Sequence, residues 1–526
     1  MSIRPLGVEE LAEILAVQFD EAEPPMFNAS WRPENAEEAV MSVCSSLIAI
    51  VDREGYQVVQ FSHFSVKEYL TSERLATAEE CLSYYHILPE PAHIILAQAS
   101  LSVLLQLDDK IDKHAIGHFP LALYAARHWV DHAKVKDVSL HVHEVMKRLF
   151  NPAEPHFAAW VWLYNIDRHW IEPMSTVYPT QPEAVPLYYA SLSGFRDLVE
   201  HLIAANSQNV NSRGGFHTTA LHAASVKGHL DITSLLVQNG ADLNSRDDLG
   251  RAPLHKVSQG GQIVMMESSL EIARLLMNSG ANVDVTDDEG STPLHAAVRS
   301  GYRDIAELLL ESGASINVQN TSQHTPLYVA CCAGKLDLSR FLIGRGSDIN
   351  SRDKENLTPL HLASRCGHFD ISRLLLDCGS DVNVHGITNY APLHFAARYG
   401  FLDLVKLLVE RGANVGSQAE DGTTPLLFAA MGGHLDTARY LIERGAAVSD
   451  GDINGSTPFH AASYFGHLRI VKFLLEDGVD VEIGNRRGRT SLYLASDNGK
   501  LDVVRFLIDH GADIYTKVSL IKGGGF

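Results

Sequence analysis

Histidine and cysteine are the residues of this 526-residue chain whose spacing could support chemistry. His114 and His118, and likewise His128 and His132, are four residues apart, which places each pair on one face of a helix in metal-binding geometry. No carboxylate or cysteine completes either ligand set convincingly. We therefore expect no metal site and no cofactor.

Other motifs resemble binding or catalytic sequences but fail at a required position. The segment 450–455 matches the first half of an EF-hand loop, yet Ala461 stands where the bidentate glutamate belongs, which favours a structural turn. Gly334-Lys335 and Gly499-Lys500 are each followed by leucine, and the sequence contains no GxxxxGK[ST], HExxH or GxSxG. We expect neither ATP binding nor enzymatic activity.

The six cysteines include no CxxC pair, so they form neither a disulfide framework nor a zinc ribbon. They are typical of free thiols in a reducing compartment. Cys331 and Cys332 are adjacent, at a position where other parts of the chain carry alanine and a variable neighbour. This pattern favours a packed thiol over a nucleophile.

A sequence repeat determines which elements hold these residues. A tetrad of the Thr-Pro-Leu-His type starts at 292, 325, 358, 391, 424, 457 and 490, always 33 residues apart, and weaker copies start at 185, 219 and 252. In all ten copies a glycine stands nine residues after the tetrad start. A fixed period of this length indicates stacked supersecondary units rather than separate globules.

The copy that starts at Thr292 shows how one unit folds. The threonine suits a helix N-cap and Pro293 suits the first helical turn. Gly301 ends this helix, and apolar residues at helical spacing predict a second one. These residues are Ile305, Leu308 and Leu309. Two short helices cannot bury their apolar faces alone, so we expect the copies to stack.

This pattern resembles the ankyrin repeat over about residues 184–516. The resemblance implies a mostly α fold, a curved solenoid of about ten repeats with hairpin-like tips. The copy at Val185 lacks the threonine and histidine, as a first repeat packed on another domain would. The copy at Ala252 has seven extra residues between Gly261 and Leu270, which we expect to lengthen its inter-helix loop.

The first 180 residues show no such period and contain all five tryptophans. Residues 1–75 have the pattern helix, helix, strand, helix, with the strand at 57–61 and helices around 11–15, 40–47 and 65–70. Farther along, apolar runs around 94–107, 121–130 and 145–149 predict a helical region. We expect this region to dock on the first repeat, whose apolar residues need a cover.

Several phrases in this region resemble fungal NACHT-type (STAND) signalling ATPases. SIRPLGVEELAEILA, SSLIAIV and VVQFSHFSVKEYLTSERLA resemble the winged-helix segment of that family, and HILPEPAH and YAARHWVDHA resemble its helical connector. The resemblance implies a winged-helix-like segment at 1–75, a connector at 76–180, repeats at 184–516 and a tail at 517–526. The family's ATPase domain is missing from this sequence.

Charge argues against nucleic acid and membranes as partners. Lys and Arg number 43 against 64 Asp and Glu, a net charge of −21. Residues 1–75 alone carry five basic and thirteen acidic side chains, although a DNA-reading winged helix needs cationic contacts to phosphate. The sequence shows no secretory signal and no long apolar span. We expect a cytoplasmic protein.

A binding surface is predicted from the two residues before each repeat glycine, which in ankyrin-like stacking point toward a ligand on the concave face. The arginines and the aromatic or apolar residues at these positions are Arg299, Arg365, Arg398, Tyr399, Met431, Tyr464 and Phe465. Arg and Tyr are enriched at interface hot spots, and we expect an acidic, partly apolar peptide there. The alternative is that the arginines only solvate the groove and the aromatic rings cover neighbouring helices.

Three functions remain open from the sequence. The first is a non-enzymatic scaffold that binds protein partners through the concave face and the tips. The second is the C-terminal sensor portion of a NACHT-type ATPase whose P-loop domain is missing from this chain. The third is a substrate adaptor of a ubiquitin ligase, although the sequence shows no F-box-like segment. The partner and the oligomeric state do not follow from sequence, because ankyrin specificity follows no transferable code.

Overall fold

The computed structural model describes residues 17–18, 26–27, 48–53, 56–61, 89–107, 116, 119, 121–164, 166, 185–205, 209–215, 217–260 and 266–515. The chain forms two compact units, Met1–Asn282 and Val283–Phe526. Among the described residues, none of the helices combines the length and the apolar character needed to cross a membrane.

The first unit contains two antiparallel hairpins. Strand β1 (Val17–Gln18) pairs with β2 (Met26–Phe27), and β3 (Ile48–Arg53) pairs with β4 (Tyr56–Phe61). Strand β4 confirms the strand predicted at 57–61. Strand β3 was not predicted, because a short continuous apolar run does not separate strand from helix by periodicity. The helices predicted around 11–15, 40–47 and 65–70 lie outside the described residues.

The predicted helical region is confirmed in the same unit. Its helices are α1 (Pro89–Leu104), α2 (Ala122–Ala133), α3 (Val138–Leu149) and α4 (His156–Leu163). Trp129 and Trp160 are fully buried at its centre, with ring centroids 5.3 Å apart. The Trp160 indole N–H donates to the carbonyl of Ala126 at 2.9 Å, so the buried polar atom of this ring is satisfied.

Three repeats complete the first unit. Their helices are α5 (Pro186–Ser193), α6 (Arg196–Ala205), α7 (Ala220–Lys227), α8 (Leu230–Gln238), α9 (Pro253–Gln259) and α10 (Met266–Asn278). Phe195 stacks on Trp129 with centroids 5.4 Å apart, and Tyr189 meets Trp160 edge-on at 5.7 Å. These contacts confirm that the helical region docks on the first repeat.

The expectation for the stretched copy was partly wrong. Helix α10 has 13 residues, whereas the second helices of the later copies have nine. Four of the seven extra residues, 266–269, therefore extend the second helix rather than the loop. They continue the helix because Met266 and Glu267 are good helix formers and no glycine or proline interrupts them.

Seven repeats form the second unit. Their helices are α11 (Pro293–Ser300), α12 (Arg303–Glu311), α13 (Pro326–Cys332), α14 (Leu336–Gly344), α15 (Pro359–Cys366), α16 (Phe369–Asp377), α17 (Pro392–Arg398), α18 (Leu402–Glu410), α19 (Pro425–Gly432), α20 (Leu435–Glu443), α21 (Pro458–Phe465), α22 (Leu468–Glu476), α23 (Ser491–Asp497) and α24 (Leu501–Asp509). Within this unit, neighbouring first helices of the copies contact each other more extensively than neighbouring second helices do. This difference curves the stack, with the first helices on its inner side.

The tetrad histidine joins each copy to the next. Nδ1 of His361 accepts the backbone N–H of Thr358 at 3.0 Å, so the ring proton lies on Nε2. Nε2 in turn donates to the carbonyl of Tyr390, in the following copy, at 3.0 Å. His295 and His460 make the equivalent bonds to the carbonyls of His324 and Arg489.

The turns that precede the tetrads, the tips of the array, are joined by a second set of bonds. In the second unit each tip after the first donates one backbone N–H to a carbonyl of the tip before it, at 2.8 to 3.4 Å. The donors are Thr321, Lys354, Ile387, Glu420, Ile453 and Arg486, and the acceptors are Glu289, Ser322, Glu355, Thr388, Asp421 and Asn454. We call this series the tip ladder.

Candidate functional site

The C-terminal turns of the first helices place the predicted residues at equivalent positions. Arg299, Arg365 and Arg398 all lie in the last turn of their helices, and all three side chains are exposed. Each of these helices ends at or next to a glycine with positive φ, which the absence of a Cβ permits. The repeat therefore aligns these side chains along the inner side of the second unit.

Two of the arginines line a groove of about 580 Å³ between the first helices and the tips, which we call the arginine groove. Its walls include Arg299, Arg365 and Cys332 from the helices and Lys354 and Glu355 from a tip. Tyr328, His324 and Asp353 form its inner wall.

The Asp353 carboxylate, although it lines this groove, is already used. Its Oδ1 accepts the backbone N–H groups of Glu355 and Leu357, at 2.9 and 2.7 Å, and its Oδ2 accepts the Tyr328 hydroxyl. Burial, and then this hydrogen bond, raise the pKa of Tyr328 far above its usual range. Nε2 of His324 lies 3.9 Å from the same Oδ2. The carboxylate forms no ion pair with Arg299 or Arg365, and both arginines line the groove.

The aromatic residues line a second groove of about 230 Å³, which we call the aromatic groove. Met431, Tyr464 and Phe465 contribute from the helices, and Arg487 and Arg489 contribute from a tip. The rings of Tyr464 and Phe465 meet edge-on at 4.9 Å, and the two residues are 43% and 42% exposed. The groove is therefore apolar on its helix wall, and its tip wall carries these two arginines together with Asp452.

Arg398 and Tyr399 end α17, between the two grooves along the stack. The Arg398 guanidinium lies over the ring of Phe428, 5.1 Å from its centroid, so this arginine also covers the neighbouring copy. Tyr399 is 47% exposed, and its ring is 6.1 Å from that of Phe401. The structure thus brings the seven predicted residues to one side of the second unit, divided between two grooves and the helix between them.

Three arginines on or at the ends of the second helices are paired with carboxylates. Arg345 pairs with Glu307 at 2.7 Å, Arg373 with Asp370 at 2.7 Å and Arg411 with Asp377 at 2.8 Å. Across the described part of the chain, Arg299, Arg365 and Arg398 have no carboxylate within ion-pair distance. Among the residues that the structure describes, other arginines of second helices, such as Arg340 and Arg469, have no ion pair either. The inner side is therefore distinguished by the alignment of its arginines with exposed aromatic rings.

Three cationic residues of the grooves were not among the predicted binding residues. Lys354, Arg487 and Arg489 come from tips, whereas the prediction considered only the two residues before each glycine. Each of them lies within four residues before a tetrad start. The basic residues at these positions are visible in the sequence. Their place at the grooves follows only from the way the tips fold over the helices.

Other sequence candidates take structural roles. In the EF-hand-like segment, Oδ1 of Asp452 accepts the backbone N–H groups of Asn454 and Ser456, at 2.9 and 2.8 Å, which makes the segment a repeat tip as predicted. Cys331 is buried, and burial raises the pKa of its thiol to about 12, as expected for a packed thiol.

The predicted histidine pairs do not form a ligand set in the described part of the chain. Nδ1 of His132 lies 2.7 Å from Nδ1 of His93, and its Nε2 lies 2.8 Å from the Tyr124 hydroxyl, so both ring nitrogens are engaged. Burial lowers the pKa of His132 to about 4. His114 and His118 lie outside the described residues. Among the described residues, no group of three or more His, Cys, Asp or Glu side chains is arranged to hold a metal ion.

Two families match this sequence. Residues 187–267, 262–320, 315–386, 393–485 and 448–518 match "Ankyrin repeats (3 copies)". Residues 1–80 match "GPI inositol-deacylase, winged helix domain". Together they support the fold predicted from the repeat and from the phrases near the start of the chain.

Individual relatives match mainly through shorter stretches. The azaphilone pigments biosynthesis cluster protein L of Monascus ruber is 31% identical over 258 residues, 46% of this chain and 54% of the relative. An ankyrin repeat-containing protein of Schizosaccharomyces pombe is 37% identical over 82 residues, 15% of this chain and 36% of the relative. The ankyrin repeat protein nuc-2 of Neurospora crassa is 29% identical over 83 residues, 16% of this chain and 8% of the relative. The chain thus spans about half of the Monascus relative and less of the other two.

Proposed function

We propose that this chain, which belongs to the ankyrin-repeat family, is a non-catalytic interaction protein that binds a protein partner along the inner side of its second unit. The observation that carries this proposal is the alignment of exposed arginines and exposed aromatic rings along this inner side. Arg299, Arg365 and Arg398 are exposed and have no carboxylate partner among the described residues. Tyr399, Tyr464 and Phe465, on the same side, are 47%, 43% and 42% exposed. We assign this activity to the cytoplasm.

The two grooves define the chemistry of the partner. Cationic side chains without carboxylate partners favour an acidic segment at the arginine groove. Exposed rings with arginines beside them favour an apolar or aromatic side chain at the aromatic groove. We therefore propose an acidic, partly apolar peptide that contacts both grooves.

The distance between the grooves sets the length of the peptide. The arginine groove is centred on α13 and the aromatic groove on α21, four copies farther along. Because packed neighbouring helices are ~10 Å apart, the two helices are separated by ~40 Å along the stack. An extended chain of about 12 residues spans this distance, at ~3.3 Å per residue.

The test starts with affinity capture by the full chain, followed by calorimetry with the captured partner. The triple variant Arg365→Ala, Arg398→Ala, Tyr464→Ala should weaken binding by about 2 kcal/mol or more, because it removes contacts from both grooves and from the helix between them. Its melting temperature should change little, since all three side chains are exposed.

A matched control lies on the other side of the repeats. The control is the triple variant Phe369→Ala, Arg373→Ala, Arg411→Ala. Like the test variant it removes one exposed ring and two arginines, but it removes them from the second-helix side. This control should bind like the unmodified chain. Equal affinity for all three proteins would refute the inner side as the binding surface and move it to the outward ends of the tips.

The winged-helix match supports a second proposal, in which the chain is the C-terminal sensor portion of a NACHT-type ATPase. The division into segments 1–75, 76–180, 184–516 and 517–526 belongs to this proposal. A P-loop reading frame upstream in the same transcript would support it. A transcript whose coding sequence starts at the present Met1 would count against it.

A further inference from the structure

Two exposed cysteines occupy the inner side of neighbouring repeats. Cys332 ends α13 and Cys366 ends α15, and both are free and exposed, whereas Cys331 beside them is buried. Cys332 also lines the arginine groove. The proposed partner does not require either thiol, so their position calls for its own explanation.

The register of the repeats brings these two residues together. A Cβ placed on Gly334 would lie 2.7 Å from the ring of His368, and one placed on Gly367 would lie 2.7 Å from the ring of Phe401. At this level a residue of one copy therefore meets the side chain of the residue 34 positions later, in the next copy. Cys332 and Cys366 are separated by the same 34 residues.

A backbone contact fixes the same alignment. Nε2 of the His368 ring lies 3.2 Å from the carbonyl oxygen of Cys332, so the residue two places after Cys366 is bound to Cys332 itself. The two thiols also interact directly. Burial, and then the charge of Cys332 and a hydrogen bond with it, raise the pKa of Cys366.

We propose that Cys332 and Cys366 form a reversible disulfide between adjacent repeats, with a low-molecular-weight disulfide such as glutathione disulfide as the oxidant. Proteins of a reducing compartment use such bonds as redox-sensitive switches rather than as permanent cross-links. The pair lies at the arginine groove beside Arg365, but the contacts proposed for the partner involve neither thiol.

The exchange balances in two steps. The Cys332 thiolate attacks one sulfur of glutathione disulfide, forms a mixed disulfide and releases one glutathione thiolate. The Cys366 thiol gives up its proton, attacks Sγ of Cys332 and releases the second glutathione. The protein loses two electrons and two protons, and one glutathione disulfide becomes two molecules of glutathione.

Peptide mapping of the full chain tests the proposal. The folded protein is incubated with millimolar glutathione disulfide, blocked with a thiol reagent, digested with trypsin and analysed by mass spectrometry without reduction. Trypsin releases Cys332 in the peptide 304–335 and Cys366 in the peptide 366–373. We expect these two peptides to be linked, and dithiothreitol to separate them again.

Single variants identify the bonded sulfurs. Cys332→Ser and Cys366→Ser should each abolish the linked peptide. Cys331→Ser should retain it because that thiol is buried, and Cys378→Ser is the matched control because Cys378 is exposed but lies at the end of a second helix. Circular dichroism verifies that each variant is folded.

Two results would overturn the proposal. One is glutathione attached singly to Cys332 and Cys366 with no linked peptide at any oxidant concentration. The other is a linked peptide that persists in Cys332→Ser, which would place the bond on Cys331. Neither result depends on whether the inner side binds a partner.

Discussion

At the scale of single residues, the tetrad histidine combines two tasks that a hydrophobic residue could not perform. Its ring accepts an N–H within its own copy and donates to a carbonyl of the next, so it links the copies through a neutral side chain. His295, His361 and His394 are all fully buried. Burial lowers the pKa of each to about 4, since the protonated ring would lose both its solvation and its acceptor nitrogen.

These histidines predict acid-sensitive stability. An unfolded histidine takes up a proton near pH 6.5, whereas the folded ring stays neutral down to about pH 4. The unfolded state therefore binds more protons in this window, and stability falls as the pH is lowered through it. We expect a loss of about 1.4 kcal/mol per pH unit for each such histidine, measured by urea unfolding between pH 7.5 and 4.5.

Net charge acts in the opposite direction and supplies the control. Acidification reduces the charge of −21 and with it the self-repulsion of the folded chain. Repeating the series in 0.5 M salt screens this contribution and should leave the histidine effect in place. Stability that stays constant or rises between pH 6.5 and 4.5 at high salt would contradict the prediction.

At the scale of elements, the stacking of the repeats depends on how closely the first helices of neighbouring copies pack together. The glycine that ends the helix lets a ring of the next copy lie directly against the backbone. Gly400 is such a position, with φ +72° and the His434 ring in the place of a Cβ. Gly412 also has positive φ, +92°, but no atom lies within 4 Å of its Cβ position.

Alanine substitutions at these two glycines should lower the free energy of unfolding by different amounts. Gly412→Ala should destabilise the protein by about 1 kcal/mol, the cost of a left-handed conformation for a residue with a Cβ. Gly400→Ala should cost about 2 kcal/mol more, because His434 must also move away from the carbonyl of Arg398 that it binds at 3.1 Å. Urea unfolding of both variants measures the difference, and equal costs would show that the ring contact does not constrain the stack.

The elements also show how far the sequence predicts the structure. The tetrad and its glycine define both helices of each copy, because proline, glycine and the apolar spacing are local signals. The extension of α10 was not predicted, because it depends on the helix preference of residues inside an insertion. Strand β3 was not predicted, because a short apolar run fits a strand and a buried helix equally well. Only part of the lining of the grooves could be predicted from the sequence. Arg365 and Tyr464 were predicted from their positions at the ends of first helices, whereas the contribution of Lys354 and Arg489 depends on how the tips fold over the helices.

At the scale of the whole molecule, charge and surface chemistry oppose each other. The chain carries a net charge of −21, yet the inner side of its second unit presents unpaired arginines. At a distance the net charge repels an acidic partner, and only within about a Debye length, ~8 Å, do the local cations attract it. A partner therefore needs the apolar contacts of the aromatic groove as well as acidic groups, which favours short acidic segments over polyanions.

In the first unit, we expect the local stability of the first repeat to depend on the helical region packed against it. Deleting residues 1–180 removes Trp129 and Trp160 from Phe195 and Tyr189 and exposes these buried rings to water. We expect faster hydrogen exchange in α5 and α6, with peptides from residues 293–509 as internal reference. Unchanged exchange in 186–205 would show that the first repeat is stable without its aromatic neighbours.

The tip ladder has a mechanical consequence. Its bonds run along the stack from one copy to the next, so a force applied to the two ends of the second unit loads them in series, and each bond bears the full tension. Copies should then yield one at a time, each releasing 33 residues, or ~110 Å of contour length at ~3.4 Å per residue. Optical-tweezer traces of this unit should show a series of equal extension steps. A single rupture of the whole stack would mean that the copies unfold cooperatively rather than one at a time.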